Sequence, residues 1–111
     1  MAAPIIVVPF MKPAGMALFP FILIHDEKLK ADKTLIRHEN IHLQQQIELL
    51  VIPFYLLYVI NYLVNLLQYK NHQQAYIQII FEREAYQHEN DVDYLTNRKL
   101  WGWIKYLKIK Q

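Results

Sequence analysis

The sequence predicts a predominantly helical α+β fold. Short β-branched and aromatic runs stand before His25, apolar residues at helical spacing follow from Leu35 to Ala85, and no internal repeat is present. At 111 residues the chain makes a single domain, 1–111, with one core.

The elements follow in order. Ile5 to Val8 and Phe19 to Ile24 read as two short strands joined by the turn chemistry of KPAG, so residues 1–31 form a strand region. HDEKLKAD is a polar connection, and Asp32 is a suitable N-cap. A helix over 32–52 then carries Leu35, Ile36, Ile41, Leu43, Ile47 and Leu50. From Leu49 to Leu67 no residue is charged, and only Pro53, Asn61 and Asn65 interrupt the apolar run; an apolar helix over 53–70 follows from it. After QYKNHQQ the stripe Tyr76, Ile77, Ile80, Phe81 and Ala85 predicts a helix over 72–95. Residues 97–111 form a basic, aromatic tail.

Composition excludes several function classes. With no cysteine there is no disulfide, thiolate metal site or cysteine nucleophile, so a metal would need His, Asp or Glu. The tail holds Arg98, Lys99, Lys105, Lys108 and Lys110 without an acid, on a body whose 7 basic and 10 acidic residues leave it at −3. That asymmetry points to a membrane surface or an acidic partner, not to nucleic acid. The N-terminus has no basic start, and prolines interrupt its apolar run, which argues against a signal peptide. The expected compartment is the cytoplasm or the inner face of a membrane.

The chemistry centres on RHENIHLQQQ. Four residues along an α-helix is a rotation of about 400°, so His38 and His42 share a face and their imidazoles can converge on one ion. Glu39 lies about 100° away, near enough to reach a water held there and to act as its general base. Two histidines leave zinc underligated, so a third ligand is needed downstream.

In these residues the chain resembles the zincin metallopeptidases, whose HExxH helix is flanked by apolar residues such as Leu35, Ile36 and Ile41 here. In the glutamate-zincin branch the third ligand is a Glu on a later helix, often with Ala at i+3, and FEREAYQHE is similar to that pattern. The resemblance implies Glu82 as ligand beside His38 and His42, with Ala85 at i+3 and Tyr86 at i+4 in place of the usual acid. Glu84, with His88 at i+4, is the competing ligand. The two glutamates are about 200° apart on a helix, so only one can face the metal, and Glu82 is favoured.

The resemblance also implies Zn2+ as cofactor, Glu39 as base, a peptide or protein substrate, and a minimal zincin-like core. A strand before the motif helix would form the cleft edge, with Phe21, Ile22 and Leu23 pairing to substrate backbone. A homo-oligomer or a membrane would extend so small a site.

This site and a single membrane span exclude each other, because Glu82 would then lie across the bilayer from His42. A straight helix from His42 to Leu67 would run about 37 Å against a return of only about 22 Å to Glu82, so the helix must bend or break, with Pro53 as the expected place. The apolar stretch is therefore read as a buried or partly membrane-embedded helix, and Trp101, Trp103 and Tyr106 with the tail lysines suit peripheral membrane contact. Two functions stand: a zinc metallopeptidase, and a non-catalytic helical module bound to a membrane or partner.

Overall fold

The computed structural model describes residues 3–107. The fold is predominantly helical α+β: strands β1 (Ile5–Val7), β2 (Gly15–Leu18) and β3 (Phe21–Ile24), a 3-10 turn at Glu27–Ala31, then helices α1 (Lys33–Leu49), α2 (Ile52–Tyr69), α3 (His72–Ile77), α4 (Ile80–His88) and α5 (Tyr94–Asn97), and a last 3-10 turn at Ile104–Leu107.

The sheet has one more strand than the sequence suggests. GMAL, of which only Gly15 belongs to the predicted KPAG turn, pairs antiparallel with β3 in the register Met16↔Leu23, Ala17↔Ile22, while β1 pairs parallel with β3 on the other side. The order is β1-β3-β2, so Phe21, Ile22 and Leu23 lie on the central strand and not on an edge. Their backbone is engaged on both sides, and the outer edge beside α1 belongs to β2.

Asp32 caps α1 as expected, its carboxylate accepting from the Leu35 N–H at 3.0 Å. α1 stops before Pro53 because a proline continuing it would have no N–H for the Leu49 carbonyl and its ring would clash with that carbonyl. Leu50 turns left-handed at φ 60°, Val51 has φ 31°, and Pro53 then fits the first turn of α2, where its missing N–H is no loss. The break lets α2 fold back against α1.

The predicted helix over 72–95 is divided. Ile79 is extended, and the orphan N–H of Ile80 is taken by Asn61 Oδ1 of α2 at 2.8 Å, so α4 starts afresh there. Of the two alternatives for the apolar stretch, buried or partly membrane-embedded, the first is overturned: of the residues of α2 only Phe54 and Asn65 are buried.

Two apolar clusters brace α1. Ala17, Ile22 and Ile24 of the sheet pack with Leu43, while Phe54, Ile79, Phe81 and Trp103 pack with Leu49. Ala85, fully buried, is small enough to let α4 lie close to α1. Lys108 and Lys110 of the tail lie outside the described residues. Arg98 is not a free tail charge: it is bonded to Glu48 at 2.7 Å and to Glu84.

Candidate metal centre

α1 and α4 present a buried polar set to each other: His38, Glu39, His42 and Gln45 from one, Glu82 and Glu84 from the other. His38 Nε2 and His42 Nε2 each lie 3.1 Å from Glu82 Oε1 and 3.2 Å from each other. These are the one His/His/carboxylate group among the described residues whose ligand atoms converge closely enough to hold an ion.

Which nitrogens carry protons follows from their partners. Gln45 Nε2 donates to Phe81 O at 3.1 Å and to Glu84 Oε1 at 2.8 Å, so its Oε1 must accept from His42 Nδ1–H at 2.8 Å. His38 Nδ1–H likewise donates to Glu89 Oε1 at 2.7 Å. Both Nε2 atoms therefore face one spot together with a carboxylate oxygen. Atoms of this kind crowd together only with a positive charge between them, either a metal ion or a proton. Ligand atoms of a tetrahedral zinc sit about 3.3 Å apart, close to the separations found.

The electrostatics agree. Burial alone would depress the His42 imidazolium, but the Glu82 carboxylate outweighs it and holds the group up at about 9. Burial would raise Glu82, yet His42, His38 and a hydrogen bond from the Tyr58 hydroxyl together hold its carboxyl well below the usual range. Without a metal, a proton on His42 occupies the place a cation would take.

Glu39 is buried beside this group, and burial pushes its carboxyl up against the opposing pull of His42 and His38. It opens onto a cavity of about 370 Å³ shared with His42, Glu82, Tyr58, His72 and Tyr76. β2 forms one wall. Ala17 O points outward from the ladder to Gln46 Nε2 at 2.9 Å and to Tyr55 OH at 2.6 Å. By the alternation of an antiparallel strand, Gly15 presents its N–H and C=O on that same outer edge. A Cβ at Gly15 would lie 3.1 Å from Leu35 Cδ1 and 3.2 Å from Glu39 Oε2, so the missing side chain lets the strand lie close to Glu39.

The remaining site candidates separate. Glu84 is anchored to Arg98 and Tyr94 and reaches His42 only through Gln45. Tyr86 packs edge-on against His38 with ring centroids 4.5 Å apart. His88 stacks on Tyr94 and bonds Tyr106, away from the ligands. Phe21 and Ile22 leave the site for the centre of the sheet, as does Leu23. Gln45, Tyr58, Tyr76 and Glu89 were not singled out from sequence. Gln45 at i+3 from His42 and Glu89 at i+7 from Glu82 carry a helical-face signal that could have found them. Tyr58 and Tyr76 carry none.

No family model, curated protein or solved structure matches this chain.

Proposed function

We propose that the protein is a zinc-dependent metallopeptidase, with His38, His42 and Glu82 as ligands and Glu39 as general base. One observation carries this reading: two imidazole Nε2 atoms and a Glu82 oxygen converge to within 3.2 Å of one another, beside a buried carboxylate of raised pKa in an open cavity. A zinc ion bound there would supply a water of lowered pKa and polarise a carbonyl.

The chain's own residues supply the rest. Glu39 takes the proton from the attacking water, and its raised pKa brings it nearer to neutrality, where a base both accepts and returns a proton efficiently. Glu89 and Gln45 hold the two imidazoles in the tautomer that frees Nε2, and Tyr58 orients Glu82. Tyr76, kept protonated by burial and by the Glu82 charge, and His72 line the cavity as donors for a substrate carbonyl. The free edge of β2 at Gly15 favours an extended peptide, added as a further strand, over a compact substrate.

Metal analysis of protein purified without chelator is expected to give about one zinc per chain, and none in His38→Ala. Wild type that stays metal-free after incubation with zinc refutes the centre. Glu39→Gln is expected to keep its zinc and lose hydrolysis of a peptide mixture. Undiminished activity in that variant would remove Glu39 from the mechanism.

A further inference from the structure

Helix α2 is amphipathic with its polarity reversed. Leu56, Val59, Ile60, Leu63 and Leu67 share one face and are 48–79% exposed. The opposite face is polar and fully engaged: Tyr55 bonds Ala17, Tyr58 bonds Glu82, Asn61 caps α4, Tyr62 bonds His72 and Asn65 bonds Ala75. The helix carries no charge and is, among the described residues, the one helix long and apolar enough to cross a bilayer, yet only 11% of it is buried. Its polar side is committed to the protein and its apolar side to nothing within the chain.

Beside the exposed face runs a groove of about 820 Å³ between α2 and the turn at Ile104–Leu107. Leu57, Val64, Trp103 and Leu107 line it with Arg83 and the side-chain amides of α2 and Gln78, and no acidic residue does. Exposed Lys70 caps the end of α2, and exposed Lys105 belongs to the turn itself. An uncharged apolar surface bordered by cations complements anionic headgroups above acyl chains.

We propose that this face of α2, with the adjoining groove, lies in the interface of an anionic lipid bilayer, the helix axis in the membrane plane. A span is disfavoured because α3 packs on α2, and its exposed His72, Gln73 and Gln74 would be carried into hydrocarbon. A second copy of the chain packed on this face would instead leave vesicles unbound. The proposal goes beyond the metallopeptidase reading and does not depend on it.

The test is flotation of the full chain with vesicles of phosphatidylcholine, with and without phosphatidylglycerol. Wild type is expected to float, more strongly with phosphatidylglycerol and less so in high salt. Val59→Gln/Leu63→Gln/Leu67→Gln keeps good helix formers on an exposed face and is expected to bind about a hundredfold more weakly, with helical content and zinc content unchanged. Should that variant misfold, Lys70→Glu/Lys105→Glu is expected to lose only the preference for phosphatidylglycerol. The proposal is overturned if wild type stays unbound with both vesicles. It is equally overturned if wild type ignores vesicles but forms a dimer that the triple variant separates, or if alkaline carbonate fails to strip bound wild type from the vesicles, which would mean a span.

Discussion

Glu82 and Glu84 stand two positions apart on α4 and serve different neighbours. Glu82 Oε1 lies 3.1 Å from both imidazoles, whereas Glu84 is held by Arg98, Tyr94 and Gln45. Glu82→Ala should abolish zinc binding while the chain stays folded. Glu84→Ala should leave Arg98 short of a buried partner, and equal zinc affinities in the two variants would refute this division. Gln45→Leu removes the acceptor of His42 Nδ1–H and should weaken zinc about 10- to 100-fold, read by competition with a chelator. The rotation per residue made it legible in the sequence that only one glutamate could face the histidines. It was not legible that Glu89 would close on His38, since their juxtaposition depends on how α1 and α4 cross.

At the scale of elements the corner between α1 and α2 is the point under stress. Leu50 sits at φ 60°, ψ 66° as the C-cap of α1 and is 75% exposed, so its side chain contributes little packing while its Cβ opposes a left-handed backbone. Leu50→Gly should therefore stabilise the protein by about 0.5–1 kcal/mol in urea unfolding, against the usual loss for a substitution to glycine. A loss of stability would show that the corner is held by contacts of the Leu50 side chain. Such a break was legible because Pro53 cannot continue a helix and Glu82 must return to His42. β2 was not legible: with glycine and alanine in four residues, it owes its strand state to pairing with β3 and to the Gln46 and Tyr55 bonds on Ala17. The split between α3 and α4 depends in the same way on Asn61, nineteen residues earlier.

For the molecule as a whole, one buried ion cluster ties the C-terminal segment to the site. Arg98 meets Glu48 of α1 through both Nη atoms at 2.7 and 3.1 Å and Glu84 of α4 through Nη2 at 3.0 Å, and the three side chains are 3% exposed or less. Removing one member leaves uncompensated charge, so Arg98→Ala should cost about 3–5 kcal/mol. A fall below about 1 kcal/mol would mean that the cluster is solvated. Burial would raise the Glu84 carboxyl, but Arg98, Tyr94 and Gln45 hold it below its usual value near 4.5. A depressed carboxyl contributes stability above that value and loses it as pH falls through the folded pKa. The melting temperature should thus drop as the solution is acidified below about pH 4.5, and Glu84→Gln should flatten that limb. The cluster was not legible in the sequence, where Arg98 reads as one more basic residue of the tail. It also has a consequence for mutational scanning. A Cβ at Gly102 would lie 2.8 Å from Glu84 Oε2 and 3.1 Å from Arg98 Nε. In a library selected for the proposed activity, a glycine far along the chain from the histidines should be as intolerant of substitution as they are, and so pass for part of the proposed metal site.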